Sequence, residues 1–271
     1  MRPLAAVGVA ALLSASCGAP LMKLPAGPGA PAPDAGAAVA EATRACGAVA
    51  SITAEVAVSG SVGGRRMRGR LHVGLAAPAS ARLEAVAPFG QPLFILVSRG
   101  GDATLLLTRE NRVLPHGRPD AVLEAVTGVP LDAADLRTVL TGCAAVPDAV
   151  AGRQLGDLWR VVSYGERLLY VQRESPRAAW QLVAVVMSGS VQPGWRAEYR
   201  DFHDGLPRTI RLTSRDSERF DLRLSLSQVD LNVPLAPDAF EVRVPATAAE
   251  ITLEELRDSG PLADARDSDG A

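Results

Sequence analysis

The chain is poor in the residues from which active sites are usually assembled. Its 271 residues include three histidines and three cysteines. None of His72, His116 and His203 has a partner at the spacing of H-E-x-x-H, and no C-x-x-C or Cys/His cluster is present, so no metal is expected. His72 alternates with arginines, His116 precedes Arg118-Pro119 in a turn, and His203 lies in the hairpin sequence DFHDGLP, where Asp201 and Asp204 read as turn formers. There is no G-x-S-x-G elbow. The glycines of SGSVGG are followed by neither a helix nor a phosphate-loop lysine, and they read as a hairpin turn. Neither enzymatic activity nor a cofactor is expected. An excess of one charge is missing too: 28 basic against 30 acidic side chains leave a net −2. That balance excludes the broad positive field that gathers nucleic acid.

What the chain does have is apolar content, 48% of it hydrophobic, enough for one sizeable core. At the N-terminus Arg2 precedes an apolar run from Leu4 to Leu13, which is too short to span a bilayer and reads as a signal peptide over residues 1–16. Ser14-Ala15-Ser16 before Cys17 resembles the lipobox of bacterial lipoproteins, with Ser14 where leucine is usual. The resemblance implies a lipidated Cys17. With Gly18 rather than Asp next to it, it also implies residence at the outer membrane, facing the periplasm. An ordinary secretory signal cleaved nearby is the alternative. The Pro/Gly/Ala-rich stretch that follows reads as a flexible linker over 17–35, long enough to hold a domain roughly 50 Å from the membrane if extended. The folded domain is expected over 36–256 and a disordered tail over 257–271. In an oxidising periplasm the remaining pair, Cys46 and Cys143, is expected to form a disulfide stabilising by about 4 kcal/mol.

After a short helical stretch near 36–50, apolar residues recur at every second position. Ile52, Ala54, Val56 and Val58 share one face, as do Met67, Leu71, Val73 and Leu75, while Arg66, Arg68, Arg70 and His72 occupy the other. The same alternation marks ARLEAVA, PLFILVSRG, ATLLLTREN, WRVVSYG, RLLYVQRE, WQLVAVVM, WRAEYRDF, RTIRLTS, FDLRLSLSQV and FEVRV. These make about eleven strands. One interruption, residues 119–142, carries two helical patterns separated by Gly128-Val129-Pro130, with Asp132 or Asp135 as cap and Gly142 as stop. The expected fold is mainly β with short helices: one large curved antiparallel sheet, an unclosed barrel, with helices on its concave side.

The run RLEAVAPFGQPLFIL, followed by VLEAVTGVPLDAADLRTVLTG, resembles the LolB branch of the LolA/LolB lipoprotein-localisation superfamily. The matching positions are Arg82, Leu83, Pro88 and Gly90, then Leu123, Thr127, Gly128, Pro130, Leu136, Arg137, Leu140 and Gly142. NVPLAPDAFEVRVP is similar to the superfamily's closing strand. The resemblance implies a receptor that takes acylated lipoproteins from a soluble LolA-like carrier and inserts them into the outer membrane. It also assigns Phe89, between Pro88 and Gly90, as the apolar tip of a membrane-insertion loop.

An acyl-chain cavity is expected to be lined by Val56, Met67, Leu71, Leu83, Phe94, Leu96, Leu106, Leu123, Val126, Leu136, Trp159 and Trp195. Arg66, Arg68 and Arg70 read either as a solvated face or as a contact for an acidic carrier or lipid phosphate. The expected partners are acylated lipoproteins or lipids, with no nucleic acid, and the chain is expected to be a monomer. Two alternatives stay open: a periplasmic carrier of free lipid or glycolipid, and a structural or interaction lipoprotein with a solid interior.

Overall fold

The computed structural model describes residues 20–86, 92–144, 146–147, 150–189, 194–215 and 219–259. Alternating stretches become strands because an apolar row and a polar row are both satisfied only when one face of a sheet is covered and the other is wet. In chain order the elements begin with β1 (Ala30–Pro31), α1 (Ala35–Ala42) and α2 (Arg44–Gly47). A first meander follows: β2 (Ser51–Val62), β3 (Arg65–Ala76), β4 (Ser80–Val86), β5 (Pro92–Arg99), β6 (Asp102–Leu107) and β7 (Arg112–Leu114). Two helices, α3 (Pro119–Thr127) and α4 (Ala133–Thr141), interrupt it. The second meander holds β8 (Gly152–Gln154), β9 (Trp159–Tyr164), β10 (Arg167–Gln172), β11 (Gln181–Met187), β12 (Trp195–His203), β13 (Leu206–Ser214) and β14 (Phe220–Leu231). A short β15 (Ala249–Glu250) and α5 (Leu253–Asp258) complete the described chain.

All these strands lie in one sheet, ordered β1-β8-β9-β10-β11-β12-β13-β14-β2-β3-β4-β5-β6-β7-β15. The two meanders join where β14 runs antiparallel to β2, from Phe220 opposite Val62 to Leu231 opposite Ile52. The ladder slips between Ser227 and Asp230, at the positive φ of Gln228. β1 and β15 remain as the two edges, so the curled sheet does not close. Only the β15–β7 pair is parallel among the described strands.

The sheet has fifteen strands rather than about eleven. The eleven found at alternating stretches are β2–β6 and β9–β14; the additional β1, β7, β8 and β15 are two or three residues long, too short for a period of two to register. FEVRV is not a strand. Phe240 ends a 3₁₀ turn (Pro237–Phe240), and the Arg82 guanidinium takes the carbonyls of Ala239 and Glu241 at 3.1 and 2.9 Å where a ladder was expected.

Residues 20–34, which composition marks as linker, lie along the sheet. Ala30 and Pro31 pair with β8, Asp34 binds Arg160 at 2.8 Å, and Met22 and Leu24 pack on the outer face. At the other end, the capping box of Thr252 and Glu255 starts α5, which runs to Asp258.

The helices pack inside the curl. α3 presents Val122, Leu123 and Val126, and α4 presents Val139 and Leu140, to the apolar inner faces of both meanders. Asp132 is the cap of α4, accepting the Asp135 amide at 2.8 Å. Gly128 ends α3 at φ 76°, and a Cβ there would lie 2.3 Å from Val62 Cγ1. Both the handedness and the close approach require glycine at that position.

Candidate functional site

The layer between sheet and helices has two unlike ends. At the lower end Arg160 is buried between Asp34 and the Trp180 ring, 5.0 Å from its centroid, and Arg173 stacks on the same ring at 4.6 Å. The Asp34 carboxyl is held below its usual range by the hydrogen bond from Arg160. Glu41 accepts the Trp180 amide at 3.2 Å. Cys46 and Cys143 are bonded here, with Cα atoms 5.6 Å apart, fastening α2 to the residue after Gly142. The lower end is sealed by ion pair, cation–π stack and covalent bond.

The upper end is lined mainly by apolar residues. It is formed by Val62 and Met67 at the β2–β3 hairpin, Trp195 and Phe220 at strand starts, Met187 at the end of β11, Leu136 on α4 and the C-terminus of α3. Met67, Leu71 and Leu136 are half-buried against the core. β4 stops here at Val86 and β5 begins at Pro92. The insertion-loop residues Pro88, Phe89 and Gly90 lie outside the described residues, as does Cys17.

Of the residues expected to line a cavity, Val56, Leu83, Phe94, Leu96, Leu123, Val126 and Trp195 belong to one inner cluster, each at most 4% exposed. At that exposure they touch other atoms on nearly every side. Met67, Leu71 and Leu136 pack on the same cluster at its upper lip. Leu106 and Trp159 are not part of it. Leu106 pairs with Ile95 and Val113 on the outer face, and Trp159 packs with Val161 and Tyr170 under Met22 and Leu24. Their alternation is real, but both face outward: Trp159 lies where Met22 and Leu24 cover the sheet, and Leu106 is buried on the outer side of β6.

The two covering helices are held differently. The Tyr199 hydroxyl donates to the Thr138 carbonyl of α4 at 2.9 Å, Arg167 pairs with Asp135 at 3.0 Å, and Arg137 donates to the Val49 carbonyl. With the nearby disulfide these fix α4 to both α2 and the second meander. α3 rests on the first meander through Val122, Leu123 and Val126, and its half-buried Glu124 pairs with the exposed Arg219 at 2.8 Å. None of these polar ties was legible in the sequence, because an inward tyrosine or a helix arginine looks the same whether or not an acceptor waits opposite.

A separate cleft of about 380 Å³ lies on the outer face, between Thr53, Gly74 and Arg82 below and Leu235 and Phe240 above. Two of its carboxylates are paired within the fold, Glu84 with Arg82 at 2.6 Å and Glu55 with Arg70. Among the described residues no group of three or more His, Cys, Asp or Glu side chains could hold a metal ion, and no helix is long and apolar enough to cross a membrane.

An unclosed, curled antiparallel sheet whose concave face is apolar and covered by short helices defines the class of protein: a half-barrel built around a hydrocarbon-like layer. Its fold is that of the LolA superfamily. A LolA superfamily protein from Nitrosomonas europaea superposes with a TM-score of 0.53 at 12% identity, over 77% of this chain and 97% of that one. A putative outer membrane lipoprotein-sorting protein domain from Vibrio parahaemolyticus gives 0.44 at 11% identity, over 70% and 88% of the two chains. Lipoprotein LppX from Mycobacterium tuberculosis gives 0.32 at 13%, over 75% and 98%. No protein-family model matches the chain. No curated protein matches it either.

Proposed function

We propose that this chain is a lipid-anchored envelope protein that binds acyl chains, of lipoproteins or of free lipid, between the inner face of its sheet and helix α3. One observation carries this reading: the layer under α3 is apolar on both sides, and the Glu124–Arg219 pair ties α3 across its upper end. Lifting α3 breaks a partly exposed ion pair, worth about 0–1 kcal/mol, and uncovers hydrocarbon surface that an acyl chain would cover again at roughly 0.8 kcal/mol per methylene. α4, fastened by Tyr199, Asp135, Arg137 and the disulfide, is the fixed wall. Acyl chains enter at the upper lip, past Met67, Leu71 and Leu136. No nucleotide is needed for such exchange, because transfer runs from a weaker to a stronger apolar site.

The LolA-like fold supports this reading. The finer version places the chain at the outer membrane, anchored through Cys17, receiving lipoproteins from a soluble carrier and releasing them through Phe89. Replacing Phe89→Glu should then impair delivery to membranes and leave acceptance of cargo intact; equal loss of both sinks the insertion role.

The test of acyl binding is uptake of a fluorescent fatty acid by the purified chain before and after locking α3. In the double variant Glu124→Cys/Arg219→Cys, a bismaleimide joins the two new thiols while the native pair stays bonded. Uptake should be present before the lock and abolished after it. Equal uptake in both states removes α3 as the cover. No uptake in either favours the solid-interior module instead.

A further inference from the structure

The outer face of the five central strands is strongly basic. Arg200 on β12, Arg223 on β14, and Arg66, Arg68 and Arg70 on β3 are all exposed, and the strand registers stack them within three adjacent cross-strand rows. Half-buried Arg196 and Arg211 lie among them. Of the two carboxylates in these rows, Glu198 is withdrawn from the surface and half-buried Asp221 is held by Arg211. Glu198 is 1% exposed, and Asp221 accepts two hydrogen bonds from Arg211 at 2.9 and 2.7 Å. In these three rows seven arginines thus stand against two carboxylates, with Glu55 of the next row paired to Arg70, in a chain whose net charge is −2. The segregation is local, and a chain-wide charge count hides it.

The N-terminal segment leads onto this face. From β1 at the sheet edge it runs back across the outer side of β9–β11, where Met22 and Leu24 pack. It reaches β12 with the Met22 amide donating to both Glu198 carboxylate oxygens at 3.0 Å, and Arg196 donating to the Met22 carbonyl. Cys17 lies five residues further on. Fully extended, five residues span at most about 18 Å, fewer than four strand spacings of about 4.8 Å. An anchor at Cys17 therefore holds the arginine face within reach of headgroups, not at the end of a long free tether. Arg66 and Arg68 flank Met67, so the same face borders the upper lip.

We infer that the outer face of β12, β13, β14, β2 and β3 is a docking surface for an anionic membrane leaflet. The inference rests on the proposed anchor at Cys17 for its placement, but its chemistry is electrostatic and stands without the anchor. Each arginine near an anionic surface strengthens binding about fivefold, and the attraction decays within a Debye length.

The test uses the chain from residue 17 onward with Cys17→Ser, so that no acyl group contributes, and sedimentation with vesicles of phosphatidylglycerol or phosphatidylcholine. Binding to phosphatidylglycerol alone, lost on raising salt, is expected. The triple variant Arg66→Gln/Arg200→Gln/Arg223→Gln should weaken it on the order of a hundredfold, and the corresponding triple lysine variant should restore it. Should the triple variant melt earlier than its parent, the single Arg223→Gln, expected to lose about fivefold, replaces it. Equal binding to both vesicles, no binding to phosphatidylglycerol, or indifference to the glutamine substitutions overturns the proposal. The mass of the protein purified from envelopes reports the anchor separately. An unmodified Cys17 with phosphatidylglycerol binding intact sinks the anchor and leaves the docking surface standing, and an acylated Cys17 without that binding does the reverse.

Discussion

The hydroxyl of Tyr199 on β12 donates to the main-chain carbonyl of Thr138 on α4 across 2.9 Å, and both groups are buried. Burial pushes the phenol's ionisation well above its ordinary value, so the group remains a donor throughout the accessible pH range. Through this bond the second meander fixes the orientation of α4, and through α4 the wall of the inner layer. Tyr199→Phe removes this bond while the Gly142 amide still donates to the Thr138 carbonyl, so the loss is that of one net hydrogen bond, about 0.5–1.5 kcal/mol. Urea denaturation should show a lowered midpoint with an unchanged slope; an unchanged midpoint would mean that α4 is held without this bond.

The disulfide joins residues 97 apart in sequence. In the chain-entropy model, closing a loop near that length contributes about 4.7 kcal/mol. The double variant Cys46→Ser/Cys143→Ser should therefore lose a large part of its stability, and the parent should behave like it once reduced. Matching unfolding midpoints for oxidised and reduced parent would refute this.

Asp135 carries the pH dependence of α4. Burial, then the neighbouring Asp132 carboxylate, push its carboxyl up from 3.8 to about 6, outweighing the opposing pull of Arg167. Unfolded, the group loses its proton near 3.8, whereas folded it does so near 6. Its contribution thus favours the folded state fully below the unfolded value and is lost as pH rises through the folded one, an effect of order 3 kcal/mol. Stability measured between about pH 4 and about pH 7 should fall more steeply for the parent than for Asp135→Asn. Parallel curves would contradict the assignment.

Glu198 holds the N-terminal segment to the sheet. Removing a buried carboxylate that pairs with Arg196 at 2.5 Å leaves a half-buried guanidinium uncompensated, which costs roughly 3–5 kcal/mol. In Glu198→Ala, proteolysis within residues 20–26 should accelerate far more than cleavage elsewhere. Protection equal to that of the parent would show that Met22 and Leu24 dock without the carboxylate.

The eleven longer strands and the helix pair were legible because an amphipathic period, once it runs for six residues or more, has few ways to be satisfied other than a half-covered sheet or a helix face. Thr53, Glu55 and Ala57 between Ile52, Ala54, Val56 and Val58 need no partner to be understood. The four short strands carry no such period; β1 exists because β8 lies beside it, and β15 because β7 does. Of the expected lining residues, inward-facing ones such as Leu83 and Val126 meet in one cluster. Leu106 and Trp159 do not, because a period of two tells which residues share a face and says nothing about which face a distant segment will cover.

By itself the sequence determined the alternating strands, the break between α3 and α4 at Gly128-Val129-Pro130, and a local aspartate cap of α4 at Asp132 or Asp135. These are set within a few residues by backbone sterics and hydrogen-bond reach. Tertiary structure alone decided that β14 would close against β2, that an apparently free linker would lie across the sheet to Glu198, and that five arginines from three strands would share one uncovered face. Each of these relations joins residues far apart in the chain, and the free energy that selects them exists only once the sheet has brought them together.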